Sequence, residues 1–198
     1  MIHLIITSGS IKAHYKERKE QYIKSISGAM AFDYFFDSIT VLECVSSYED
    51  YLSAYPVYYS KESNTFPEKG LNEMLHIKAF LEQSAIDKND LVIKLTGRYL
   101  LEDSSFFNKV KILEDRYDSI FKDDCDIYEG LGYHTFLYCM SKSRFLETIN
   151  SLNFSKENLD PIEWGVKDFL KNKERHYLLD RLGVMAYQGQ NSEKIFRS

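Results

Sequence analysis

A lysine, a glycine and an arginine at the end of an apolar segment are the residues of this chain best suited to binding an anion. Residues 91–95 are almost wholly apolar, and Lys94, Thr96, Gly97 and Arg98 stand at or just after the end of this run. A guanidinium offers a planar fork of donors that fits phosphate oxygens, and an ammonium adds a point charge. Successive amides at Thr96 and Gly97 could complete an anion-binding turn, because glycine permits close backbone approach.

The same turn also has a structural interpretation. Lys94 and Arg98 could pair with Glu102, Asp103 or another carboxylate, and salt bridges would then hold the turn without a ligand. A ligand site would need further polar residues from other elements at the same edge of the fold. The order of the strands and helices therefore helps to decide between an anion-binding turn and a purely structural one.

Strands and helices are predicted to alternate along the chain. Compact apolar runs at residues 2–6, 39–45 and 91–95 predict buried strands, and apolar residues at helical spacing predict helices between and after them. Further along, the pattern predicts an extended run at 133–140, helices at 143–152, 160–171 and 175–182, and a last strand at 183–187. This alternation predicts an α/β fold with a mainly parallel sheet flanked by helices.

The predicted topology brings several polar residues to one edge of the sheet. No linker, repeat or low-complexity stretch divides the chain, so we expect a single domain over residues 1–198. Ligands of parallel sheets bind at the carboxyl ends of the strands. That edge would carry residues 7–10, Glu43 and residues 96–99.

Composition and charge narrow the classes of function. The net charge of −5 and the pI of about 5.6 argue against a nucleic-acid-binding protein, which needs a basic face. The three cysteines, Cys44, Cys125 and Cys139, are widely spaced and form no zinc pattern, so no metal site is predicted from them. The start of the chain resembles a strand more than a signal peptide, and no apolar run is long enough for a transmembrane segment. We expect a cytoplasmic protein.

Four segments in a fixed order resemble a known family. They are IHLIITSGS, EKGLNEMLHIKAFLE, LVIKLTGRYLLED, and the late pair DPIEWGVKDFL with RLGVMAYQGQ. Together they span most of the chain, and their order is more specific than any single segment. The chain is thereby similar to small glycosyltransferases of the GT-A fold, which use nucleotide sugars in surface-polysaccharide synthesis. The resemblance implies a nucleoside-diphosphate sugar donor and a glycan or other hydroxyl acceptor.

One motif of that family is missing at its usual place. GT-A enzymes usually carry Asp-x-Asp at the strand end that here reads KLTGRY, and that motif holds a divalent cation on the diphosphate. Lys94 and Arg98 could supply the positive charge instead, so we expect no required cofactor and transfer without a metal. A literal Asp124-Cys125-Asp126 occurs one strand later. Mn²⁺ or Mg²⁺ would be bound if it acted as the motif, although an acidic turn is more often only solvated.

The resemblance also implies positions for the donor. The turn after the first strand would hold the base and ribose, Arg18 would fold back over the diphosphate, and the helix start at Lys69-Gly70 would attract phosphate or ribose oxygens. Arg18 could equally belong to a charged helix face, and Lys69 could simply lie in solvent. The full set of predicted donor-binding residues is Thr7, Ser8, Gly9, Arg18, Glu43, Lys69, Gly70, Lys94, Thr96, Gly97 and Arg98.

The predicted catalytic residue is Glu163. An inverting transfer needs a carboxylate that removes the proton of the acceptor hydroxyl, and GT-A enzymes usually take it from the start of a late helix. Asp160 is the reserve candidate. The same segment also fits a capping box, with Asp160 at the N-cap, Pro161 at the first helical position and Glu163 at the third. In that case Glu163 would have a structural role only.

The resemblance implies that four residues contact the acceptor, namely Tyr133, His134, Thr135 and Trp164. His134 could instead be a hydrogen-bonded structural residue, and Trp164 could be a buried anchor of its helix. Two other classes of function stay open for the whole chain. One is a domain that binds a nucleotide sugar without turnover, and the other is an unrelated α/β scaffold with a salt-bridged turn at residues 96–99.

Overall fold

The computed structural model of the chain describes residues 1–123, 131–187 and 195–197. The Asp124-Cys125-Asp126 motif lies outside the described residues. In the described part, two short 3₁₀ helices at Asp33–Phe35 and Asp50–Leu52 accompany the main elements. In chain order these are β1 (Ile2–Ser8), α1 (Tyr15–Met30), β2 (Ser38–Glu43), β3 (Val57–Tyr59), α2 (Lys69–Gln83), β4 (Leu91–Thr96), β5 (Tyr99–Leu101), α3 (Ser105–Leu113), β6 (Ser119–Lys122), β7 (Leu137–Ser141), α4 (Lys142–Ser151), α5 (Ile162–Leu170), β8 (His176–Leu179), β9 (Val184–Tyr187) and β10 (Ile195–Arg197).

The central sheet is mainly parallel. Within the described residues it has seven strands in the order β3-β2-β1-β4-β7-β6-β8, and only β7 runs antiparallel to its neighbours. A smaller antiparallel sheet has the order β10-β9-β5. The predicted α/β class with a mainly parallel sheet is confirmed.

Helices cover both faces of the central sheet. Successive residues of β1 point to opposite faces, so Leu4 and Ile6 pack in one core with Tyr22 of α1 and Phe106 of α3. Ile5 packs in the other core, which α2, α4 and α5 complete. Burial on both faces explains why β1 and β4 are continuous apolar runs without alternation. None of the helices in the described ranges is long and apolar enough to span a bilayer.

The end of the chain differs from the prediction. The predicted helix at 175–182 is wrong, because His176–Leu179 forms β8 and pairs in parallel with β6. The predicted last strand is present as β9, but it pairs with β5 in the small sheet instead of joining the central one. Strand β5 follows the turn at residues 97–98 directly and was not predicted. In both cases pairing with distant residues overrides the local pattern.

The turn after β4 packs tightly against the end of β1. The Gly97 amide donates to the Thr7 carbonyl oxygen at 2.8 Å. A Cβ atom at Gly97 would lie 2.7 Å from that oxygen and 3.0 Å from Cδ1 of Tyr22. Only glycine allows this contact, which brings the turn after β1 and the turn after β4 together.

We therefore expect Gly97→Ala to destabilise the protein by about 1–3 kcal/mol, the usual cost of forcing an atom into a packed site. Urea unfolding followed by circular dichroism would measure it. Gly28→Ala is the matched control, because a Cβ there meets nothing within 4 Å and Gly28 lies on the exposed face of α1. That control should gain about 0.5–1 kcal/mol from helix propensity. Equal stability of the two variants would contradict the close approach.

Candidate functional site

A cleft of about 510 Å³ lies at the carboxyl ends of β1 and β4. The turn after β1, the start of α1, the segment 64–67, the start of α2 and the turn after β4 form its walls. Most of the predicted donor-binding residues line it. These are Thr7, Ser8, Gly9, Arg18, Lys69, Gly70, Thr96 and Arg98. This edge of the sheet is the one the predicted topology indicated.

Glu43 does not line the cleft but holds its first turn in place. Its carboxylate is fully buried and accepts from the Ser8 hydroxyl at 2.6 Å and from the amides of Ser10, Val45 and Ser46 at 2.9–3.0 Å. A buried carboxylate needs such donors to offset its desolvation. Glu43 therefore joins the ends of β1 and β2 and shapes the wall of the cleft from behind.

Tyr22 supports the other side of the same turn. The Gly9 amide donates to the Tyr22 phenol oxygen at 3.0 Å, and the phenol donates to the Gly9 carbonyl oxygen at 3.3 Å. Burial raises the pKa of Tyr22, and the positive charges of Arg98 and Arg18 oppose that rise. Arg18, Tyr22 and Arg98 all line the same cleft, so the structure brings these two predicted phosphate-binding residues to one site.

The start of α2 provides Lys69, and one amide of its first turn is already capped. The Glu68 side chain caps the helix by accepting from the Leu71 amide at 2.6 Å. Lys69 is exposed, with its chain position at the first residue of α2. At Gly70 a Cβ atom would lie 2.7 Å from Ile162 of α5, so glycine allows the two helices to approach. The Leu71 amide is therefore not available to an anion, and the Lys69 ammonium is the charge that this junction brings to the cleft.

Two buried polar residues of α2 hold the segment that forms the outer wall. Asn72 bonds both the amide and the carbonyl of Phe66, at 2.9 and 2.7 Å. His76 bonds Ser60 through Nδ1 at 2.7 Å and Asn64 through Nε2 at 3.1 Å. Burial lowers the pKa of His76, which favours the neutral ring. These bonds hold Asn64 and Phe66 at the cleft.

Lys94 is buried below the floor of the cleft, with 1% of its surface exposed. Its ammonium donates to Glu73 Oε2 at 2.9 Å, to Thr96 Oγ1 at 2.6 Å and to the Thr135 carbonyl oxygen at 2.8 Å. These three acceptors use all three ammonium hydrogens. Lys94 is therefore paired with a carboxylate, as the structural interpretation allowed, and the geometry leaves it no donor for a direct phosphate contact.

Glu163 lies on the side of α5 that faces the network around Lys94. Its Oε1 accepts from the Thr135 hydroxyl at 2.6 Å, and the Thr135 carbonyl is the one that Lys94 bonds. Burial raises the pKa of Glu163, while the bond from Thr135 and the charge of Lys94 oppose the rise. A partly buried carboxylate with a raised pKa has the properties expected of a general base.

The capping-box interpretation of Glu163 is wrong. Helix α5 begins at Ile162 with Pro161 as the N-cap residue, and no side chain makes a capping bond there. Glu163 bonds Thr135 instead. Asp160 is not close to this network and lines a second cavity of about 400 Å³ between α4 and α5.

The predicted acceptor residues are only partly brought together. Thr135 contacts Glu163, whereas Tyr133 and His134 are almost wholly buried next to it. Trp164 lines the second cavity together with Asp160. Across the described residues, no cluster of three or more His, Cys, Asp or Glu side chains could hold a metal ion.

Glu73 and Tyr22 are central to the geometry but were not predicted from the sequence. Their partners Gly9, Thr7 and Lys94 are far away in the chain, so no local spacing identifies them.

Comparisons with known proteins identify the fold. No protein-family model matches the chain, and no curated protein matches it. Among solved structures, a putative glucose-1-phosphate thymidylyltransferase from Bacillus anthracis superimposes with a TM-score of 0.66 at 9% identity, covering 96% of this chain and 91% of that one. A 4-diphosphocytidyl-2C-methyl-D-erythritol synthase from Anaerococcus prevotii gives 0.61 at 14%, covering 90% and 86%. The glycosyltransferase GlyE from Streptococcus pneumoniae gives 0.53 at 11%, covering 90% of this chain and 45% of that one.

The chain thus has the fold of nucleotide-diphospho-sugar transferases. The similar structures include nucleotidyltransferases and a glycosyltransferase. At these identities the likeness shows the fold alone.

Proposed function

We propose that this chain is a glycosyltransferase that moves a sugar from a nucleoside-diphosphate sugar to a hydroxyl group of a glycan or another acceptor, with inversion and without a required metal. The observation that carries the proposal is the position of Glu163. A partly buried carboxylate is connected through Thr135 and Lys94 to the floor of a cleft that carries Arg18, Lys69 and Arg98.

The three cations would bind the donor diphosphate. Arg18 and Arg98 line the cleft, and so does Lys69 at the start of α2. The diphosphate gains negative charge as the bond to the sugar breaks, so donors already in place favour the transition state over the bound donor. Guanidinium and ammonium groups would here perform the role of a divalent cation, which makes a metal dispensable.

Glu163 would act on the acceptor. Its carboxylate takes the proton of the acceptor hydroxyl while that oxygen bonds to the anomeric carbon and the diphosphate leaves with the electron pair. Attack from the side opposite the leaving group inverts the anomeric centre. The Thr135 hydroxyl keeps one carboxylate oxygen in a fixed position, and the other oxygen is then the one that receives the proton.

A nucleotidyltransferase is the second candidate, because two of the similar structures are nucleotidyltransferases. In that reaction the attacking group is a phosphate, which is already anionic and needs no general base. The partly buried Glu163 would then have no chemical role. The position of Glu163 therefore favours sugar transfer.

Analysis of the products separates the possibilities. The protein is incubated with ADP-, CDP-, GDP- and UDP-linked glucose, galactose or N-acetylglucosamine and a panel of glycan acceptors, with EDTA or Mn²⁺. A glycosyltransferase releases a nucleoside diphosphate together with a glycosylated acceptor, and its rate persists in EDTA. Release of pyrophosphate from nucleoside triphosphates and sugar phosphates would identify a nucleotidyltransferase, and binding without turnover would identify a non-catalytic domain. Activity lost in EDTA and restored by Mn²⁺ would contradict metal independence and direct attention to Asp124 and Asp126.

A further inference from the structure

Glu73 is the one carboxylate that lines the cleft within the described residues. Its side chain is 22% exposed, and each of its oxygens accepts one bond from below. Oε1 accepts from the Thr7 hydroxyl at 2.5 Å, and Oε2 accepts from the Lys94 ammonium at 2.9 Å. A carboxylate has about four acceptor positions. Glu73 therefore keeps acceptor capacity for a donor group that enters the cleft.

The contacts place Glu73 at the end of the cleft where transfer would occur. Glu73 Oε2 and the Thr135 carbonyl oxygen bond the same ammonium, at 2.9 and 2.8 Å. The hydroxyl of the same Thr135 bonds Glu163. Lys94 thus connects Glu73 to Thr135, whose hydroxyl bonds the candidate base Glu163. A group bound by Glu73 lies close to the reacting atoms.

The acceptor atoms of Glu73 select the kind of group. A carboxylate paired with the Lys94 ammonium has no donor to offer the diphosphate oxygens, which the cations Arg18, Lys69 and Arg98 attract. Sugar hydroxyls are donors, and a carboxylate with two orientated oxygens accepts from them strongly. Lys94 and Thr7 hold those two oxygens in fixed directions, so the carboxylate is organised before the donor arrives.

We propose that Glu73 determines donor specificity by accepting hydrogen bonds from hydroxyl groups of the sugar, with Lys94 and Thr7 as its positioning residues. This inference rests on the proposed function and adds to it the site that binds the sugar. It separates the cleft into a cationic part for the diphosphate and an anionic part for the sugar.

Titration calorimetry on the whole chain tests whether the diphosphate and the sugar bind to different parts of the cleft. The probes are ADP, CDP, GDP and UDP, and their conjugates with glucose, galactose, mannose or N-acetylglucosamine. We expect the best sugar conjugate to bind about 10-fold or more tightly than its own diphosphate, on the scale of hydrogen bonds to a charged group. Glu73→Gln should remove most of that increment and leave the affinity for the diphosphate within about 2-fold.

Three controls accompany the calorimetric experiment. Glu82→Gln removes one exposed carboxylate from the same helix and should change neither affinity. Glu73→Gln with Lys94→Met avoids leaving an ammonium without its carboxylate, and should lose the same increment. Deoxyfluoro analogues of the best donor probe the wild-type chain, so their result does not depend on a variant folding. At least one fluorine-for-hydroxyl change should cost about 10-fold in wild type and little in Glu73→Gln.

The outcomes separate this inference from the function it rests on. An undiminished sugar increment in a folded Glu73→Gln protein would overturn the role of Glu73, and so would diphosphate binding to which no sugar adds affinity. Neither result would remove the cationic part of the cleft. If none of the four diphosphates binds to wild type, the proposed function fails and this inference fails with it.

Discussion

Glu163→Gln is expected to lower the rate of sugar transfer by about 10²–10⁴-fold, the usual contribution of a general base. Glutamine keeps the size of the side chain and can still accept from the Thr135 hydroxyl, so the local structure should persist. It cannot accept a proton at neutral pH. Donor affinity and melting temperature should therefore stay close to wild type. Steady-state kinetics with saturating donor, together with calorimetry of the donor, would measure the difference.

The pH profile gives a second signature of the same residue. The base must be ionised to work, so the rate rises with pH through the pKa of Glu163. Because burial raises that pKa, the acid limb should lie at a higher pH than for an ordinary glutamate. The limb should disappear in Glu163→Gln. A structural glutamate would not shift a pH profile in this way.

The matched control is Glu174→Gln, an exposed glutamate on the segment after α5. It should leave transfer unchanged. Near wild-type transfer by Glu163→Gln would refute the assignment of the base. Asp160, the reserve candidate, would then be tested, although it lines the second cavity.

Arg98→Ala is expected to weaken binding of the donor diphosphate by about 10–100-fold. The loss of a guanidinium from an ionic hydrogen bond costs about 1.5–3 kcal/mol. Arg98→Lys keeps the charge but not the planar fork, so its affinity should fall between the other two. Calorimetry with the diphosphate measures all three proteins.

Arg116→Ala controls for the loss of one positive charge, because Arg116 is exposed and does not line the cleft. It should bind the diphosphate as wild type does. If folded Arg98→Ala also binds like wild type, the turn at residues 96–99 is structural and the cationic part of the cleft needs another explanation.

The local sequence pattern was sufficient to predict the central strands of the fold. Strands β1 and β4 are buried along almost their whole length and β2 is buried over residues 41–43, so each coincides with an apolar run that can be recognised without its neighbours. The parallel order then brings the turns after β1 and β4 to one edge, as expected. Strands β5 and β8 were missed because each has only three or four residues and depends on a distant partner.

The sequence predicted where the site lies in the fold, but not which of its side chains form hydrogen bonds and ion pairs with each other. Turn chemistry and topology placed Thr7, Thr96 and Arg98 at the cleft. The partner of Lys94 is Glu73, on a helix that precedes its strand in the chain, and the sequence offers no periodicity that connects them. The partner of Glu163 was equally unpredictable. Its local sequence fits a capping box, but in the structure its carboxylate accepts a hydrogen bond from the distant Thr135.

Calorimetric titration of the wild-type chain with ADP, CDP, GDP and UDP, in buffer that contains EDTA, tests the central claim most directly. If the cleft binds the diphosphate of a nucleotide sugar through Arg18, Lys69 and Arg98, at least one of the four should bind with a stoichiometry of about one and raise the melting temperature. Inorganic sulfate at the same concentration controls for unspecific attraction of an anion. Absence of binding by all four diphosphates, with or without added Mn²⁺, would contradict the account.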